Sequence, residues 1–155
     1  MRRPLLLAGA AAMLFSSAFA QMVKEQGDEP AKNESTAVGC LRSLNTAEVF
    51  YARTYPEIGF TCTLADFSPT PAGQKPSAKA ADLLDLSLTS GTKAGYRFTL
   101  TCPQKSKPQK TYQLSVVPIA PGKSGKRAFC TDHTAIIKAS DDGQAGTCLS
   151  SGKPL

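Results

Sequence analysis

Between Ser35 and Pro56 the apolar positions recur at helical spacing. Val38, Leu41, Leu44, Tyr51 and Tyr55 share one stripe, with Ala47 and Ala52 beside them and Val49 and Phe50 widening it. Arg42, Asn45, Glu48 and Arg53 fall mostly elsewhere. The spacing predicts a single amphipathic helix. Ser35 or Thr36 can cap it, and Pro56 ends it because proline lacks an N–H and restricts Tyr55 before it. Further along, the period changes to two. Tyr96, Phe98, Leu100 and Cys102 alternate with Arg97, Thr99 and Thr101, and Tyr112, Leu114 and Val116 alternate with Gln113 and Ser115. Ala128 to Thr131 and Thr134 to Lys138 read as two further strands around an Asp132-His133 turn.

The stretches between these elements are less periodic. Residues 59–67 read as a short extended piece, and 68–76 as a loop rich in Pro and Gly. Ala80, Leu83, Leu84 and Leu88 suggest a short second helix over Ser77–Leu88, although Leu84, Leu86 and Leu88 also alternate. Asp141-Asp142-Gly143 is a turn, and the tail beyond it reads as irregular, pinned by Cys148. The expected fold is α+β: an N-terminal amphipathic helix packed on an antiparallel meander of three to four strands, with one wet sheet face.

The first 20 residues change the address. Arg2 and Arg3 precede an apolar run from Leu5 to Phe15, and Ala18-Phe19-Ala20 stands before Gln21. This is the pattern of a secretory signal peptide over 1–20, cleaved after Ala20; the run is short for a membrane anchor. Residues 21–34 are polar, charged and interrupted by Gly27 and Pro30, and read as a flexible leader; 35–155 form one globular domain. Loss of Arg2 and Arg3 leaves 16 Lys plus Arg against 12 Asp plus Glu, a net charge of +4 with His neutral. That small excess favours solubility and gives no argument for nucleic acid. The expected location is the periplasm or the medium of a bacterium, with no stable membrane insertion after cleavage.

Five cysteines in an exported chain are disulfide candidates: Cys40, Cys62, Cys102, Cys130 and Cys148. Cys62 with Cys102 would tie the post-helix segment to the first main strand. Cys130 with Cys148 would hold the tail, worth about 3 kcal/mol by loop entropy. Cys40 is then the spare, either a buried thiol or a link to another chain; Cys40 with Cys102 is a competing pairing. No CxxC unit is present to support thiol exchange.

Candidate chemistry is sparse. His133, the only histidine, neighbours Asp132, but no nucleophile is placed and no zinc ligand set accompanies it. Asp141 and Asp142 lack the spacing of a calcium loop. Tyr51, Tyr55, Tyr96, Phe98 and Tyr112 match packing faces. No cofactor or metal is expected. Lys93, Lys123, Lys126 and Arg127 fall where one sheet end would gather them into a small basic contact surface. Lys105, Lys107 and Lys110 belong to the opposite end, which counts against a continuous phosphate-binding stripe.

The helix Ala37-Val38-Gly39-Cys40-Leu41-Arg42-Ser43-Leu44-Asn45-Thr46-Ala47-Glu48, followed by Tyr51 and Tyr55, resembles the start of the globular head of type IV pilins and type II secretion pseudopilins. Gly59-Phe60, Leu64, Ser90 to Phe98, Thr111-Tyr112 and Arg127 to Asp132 extend the resemblance over most of 37–138. It departs at the N-terminus, where pilins carry a leader ending in Gly and a long apolar filament helix beginning Phe-Thr-Leu-Ile-Glu. The resemblance therefore implies a pilin head exported as a soluble domain. The expected function is non-enzymatic, through protein–protein contacts at the cell envelope or a secretion or pilus apparatus. The alternative is a binding or adhesion module that recognises an anionic ligand or surface through its basic loops.

Overall fold

The computed structural model describes the backbone from Leu14 to Leu155 and the side chains from Glu29 onward. Helix α1 spans Leu14–Thr54, 41 residues. It carries the expected helix but starts well before Ser35. The 21–34 segment expected as a flexible leader is helical, with Pro30 inside it. The signal-peptide expectation falls largely on residues 1–13, which lie outside the described residues. Tertiary bonds explain why the last leader turns are ordered. Asn33 Nδ2 donates to Ser124 O at 3.0 Å. The Glu34 carboxylate accepts from Lys126 N, Arg127 N and Arg127 Nε at 2.9, 3.1 and 2.9 Å. Thr36 does not cap; its hydroxyl donates back to Lys32 O within the helix. The C-terminal stop falls at Thr54, just before Pro56.

After α1 a single bridge, Gly59 to Gln109, replaces the expected extended piece, and Leu64–Phe67 forms one 3₁₀ turn. The expected helix over Ser77–Leu88 is reduced to α2, Leu86–Thr89. The reason lies in where the backbone donors go. Ala81 N and Asp82 N donate to Asp66 O and Ser68 O, and Leu83 N and Leu84 N both donate to Phe67 O. Those amides are committed across to another segment, so no helix can use them.

The sheet has six strands rather than three or four, all antiparallel and in chain order. They are β1 (Thr92–Lys93), β2 (Tyr96–Thr101), β3 (Gln113–Pro118), β4 (Ala128–Asp132), β5 (Lys138–Ser140) and β6 (Lys153–Pro154). The added strands β1 and β6 are two-residue edges, too short to show a period, and the strand expected over Thr134–Lys138 falls instead on Lys138–Ser140. Phe98, Val116, Phe129 and Ala139 are register partners in one row across β2 to β5, all buried beneath α1. Leu41, Leu44 and Tyr51 enter that core at 0%, 0% and 1% exposure. The opposite face is wet over β2 but not over β4. There α3 (Ala145–Ser151), in the tail expected as irregular, covers Ala128 and Cys130 with Cys148 and Leu149. Disulfides join Cys62 to Cys102 and Cys130 to Cys148.

Candidate functional site

Helix α1 has two chemically distinct sides, and both depart from the simple stripe. Asn45 and Glu48, which the periodicity placed outside the core, are buried. Asn45 Oδ1 accepts from the Tyr112 hydroxyl at 2.9 Å. Its Nδ2 donates to Thr131 Oγ1 at 3.3 Å and Ala135 O at 3.4 Å. One amide thus stitches α1 to the sheet end and to the loop after β4. Glu48 lies fully buried one turn on. Its Oε2 accepts from Thr61 N at 3.0 Å, and its Oε1 has no partner. Thr61 Oγ1 in turn donates to the buried Asp66 carboxylate at 2.7 Å. Burial pushes the Glu48 carboxyl up to about 8; the Thr61 amide opposes that shift and the Asp66 charge adds to it. Glu48 is therefore largely protonated at neutral pH, which is how an oxygen without a partner is tolerated there.

The solvent side of α1 carries an exposed apolar pair. Val49 and Phe50, expected to widen the buried stripe, are 41% and 54% exposed. Arg42, Thr46 and Arg53 share that side. A groove of about 540 Å³ runs between Arg42, Thr46 and Phe50 on α1 and Asp82, Leu83 and Leu84 opposite. On the other flank a groove of about 510 Å³ separates Arg42 and Thr46 from Ile136, Ile137 and Leu155. Ile136 and Leu155 are themselves more than half exposed. The result is a ridge with an apolar middle, an arginine toward each end and an open trough on each side.

The basic residues are positioned by the sheet register. Ile119 N donates to Gly95 O, so the β1–β2 turn and the β3–β4 connection meet at one sheet end. Lys93 therefore shares an end with Lys123, Lys126 and Arg127, opposite the loop that carries Lys105, Lys107 and Lys110. Much of their charge is already matched. Lys93 Nζ lies 3.2 Å from Asp85, and Arg127 Nε lies 2.9 Å from Glu34 while its guanidinium stacks 5.2 Å from the Phe129 ring. Among the described residues, Lys123 and Lys126 make no ion pair.

Asp132 and Asp142 shape their own turns. Asp132 Oδ1 accepts from the amide and hydroxyl of Thr134, at 2.9 and 2.6 Å, so it shapes its own turn rather than orienting His133. Asp142 Oδ1 accepts from Gln144 N at the start of α3. Among the described residues no group of three or more His, Cys, Asp or Glu side chains is placed to hold a metal. Cys40 is a buried free thiol, and burial pushes it above its ordinary value, away from the reactive thiolate. No described helix is long and apolar enough to cross a membrane.

The fold and these surfaces define a disulfide-stabilised α+β domain, with an N-terminal helix on an antiparallel sheet in a shape compatible with pilin-like heads. Comparison of the chain with family models, curated proteins and solved structures gives no match.

Proposed function

We propose that the chain is an exported, pilin-like, non-enzymatic domain that acts through protein–protein contacts at the cell envelope or at a secretion or pilus apparatus, after removal of residues 1–20. The observation that carries this reading is the solvent side of α1. An exposed aromatic flanked by arginines, at the edge of an open groove, is the composition enriched at protein interfaces, where Phe and Arg are favoured and Lys and Glu depleted. Recognition of an anionic surface by the basic end has less support, because Glu34 and Asp85 already engage two of its four cations.

The test is retention of envelope proteins on the immobilised mature domain, with identification by mass spectrometry. A specific envelope or secretion component held at high salt, and lost with Phe50→Asp, is the expected result. Retention only of anionic polymers, released by salt, would overturn the reading.

A further inference from the structure

We propose that the groove between α1 and the Asp82–Leu84 loop receives a second copy of this chain across a two-fold axis. Phe50 of each copy enters the groove of the other, and Arg42 of each meets the Asp82 carboxylate of the other. This rests on the protein-contact reading above and names the partner.

Arg42 and Asp82 stand on opposite walls of one groove, both exposed, and among the described residues neither forms an ion pair within the chain. A partner of one charge sign would match one wall and oppose the other. A second copy of the same patch, turned through a two-fold axis, matches both, and the axis doubles every contact. Between the charges stand the protruding Phe50 ring and the half-buried Leu83 and Leu84, so each copy offers both an apolar knob and a recess for it. Thr46 and Ala47 leave the groove floor low.

The far wall is held in advance. Asp82 has φ +57°, a left-handed conformation that Asp tolerates better than most residues. Its amide is tied to Ser68 O at 2.9 Å, and the next two amides are tied to Phe67 O. Binding therefore does not have to order this loop, which lowers its entropic cost. The groove is lined by eight residues, against the roughly 20–30 a side of a standard interface, so the dimer belongs in the weak, concentration-dependent range.

The test is sedimentation equilibrium of the purified protein with its disulfides intact, from low to high micromolar concentration. The wild type is expected to self-associate to a dimer. Arg42→Asp and Asp82→Arg, each alone, place like charges in both contacts, and each is expected to weaken the dimer at least tenfold. Mixed in equal amounts, the two variants complement each other. In one contact the acid introduced at position 42 faces the base introduced at position 82, and in the other the native Arg42 faces the native Asp82. Association of the mixture is expected to return to near the wild-type level. An exchange confined to one chain cannot produce that recovery on mixing. Should the strained site reject arginine, judged by circular dichroism, Asp82→Asn keeps the left-handed preference and is expected to weaken the dimer several-fold. A wild type that stays monomeric throughout, or folded charge variants that associate like wild type, would overturn the proposal. Capture of a different envelope protein through Phe50 in that case leaves the protein-contact reading standing and removes only the second copy.

Discussion

Each side of α1 carries a pair of residues that runs against the ordinary distribution of polarity, although Leu41, Leu44 and Tyr51 lie inside and Arg42, Thr46 and Arg53 outside as usual. Inside, at the sheet end of the helix, sit an amide and a protonated carboxyl, each held by side chains or amides from elsewhere in the chain. Outside, over the same turns, sit a valine and a phenylalanine in solvent. The inner polar residues are tolerable because partners were brought to them: Thr131 and Tyr112 for Asn45, Thr61 for Glu48. Among the described residues, the outer apolar pair is not packed against the core. A packed interior polar network is a stabilising and register-setting device, whereas a half-exposed apolar side chain contributes little to folding.

The largest expected effect that separates the sides concerns Glu48. Its folded value lies near 8, well above its ordinary 4.5, so between those values the folded protein holds a proton that the unfolded chain has released. That contribution to stability is complete below about pH 4.5 and is lost as pH rises through 8. The loss amounts to a few kcal/mol, at about 1.4 kcal/mol per pH unit of displacement. Glu48→Gln removes the slope. Urea denaturation at pH 5 and pH 9 should show the variant gaining on the wild type at the higher pH, by up to about 4 kcal/mol. Parallel curves for the two proteins would mean that Glu48 is ionised or solvated, and the inner side would lose its special character.

A middle-sized effect is expected at Asn45. Asn45→Ala strands the Tyr112 hydroxyl and Thr131 in the interior, at a cost of about 1–3 kcal/mol by urea denaturation. A cost below about 0.5 kcal/mol would show that the stitch between α1 and the sheet end is ornamental. The smallest effect belongs to the outer side. Phe50→Ala should change folding stability by no more than about 0.5 kcal/mol, while altering association. A folding loss of several kcal/mol would place Phe50 in the packing of this chain and close the contrast from the other direction.

The same contrast separates what could be read from the residues alone. Leu41, Leu44 and Tyr51 entered the core as their spacing implied, because a helix on a sheet must bury its densest apolar stripe. The alternation of Tyr96, Phe98 and Leu100, and of Leu114 and Val116, placed two central strands and their inner faces. Val49 and Phe50 lie in solvent although they extend the apolar stripe, because composition alone does not say which flank of a helix the sheet covers. Asn45 and Glu48 misled in the opposite way, because polarity implies solvent unless a partner is known. The 77–84 segment carried helix-compatible leucines, yet its amides went to Asp66, Phe67 and Ser68.

The chain's own order of residues therefore determined a helix, a meander and cysteines able to close two disulfides, since period and spacing are local properties. Tertiary structure alone decided the side of α1 that holds Glu48, the helical continuation before Ser35, the second cover by α3 and the matching of Arg127 by Glu34. Each of these depends on groups far apart in the chain meeting in space, Glu34 with Arg127 and Asn45 with Thr131 among them, and such meetings leave no periodic trace in the residues between.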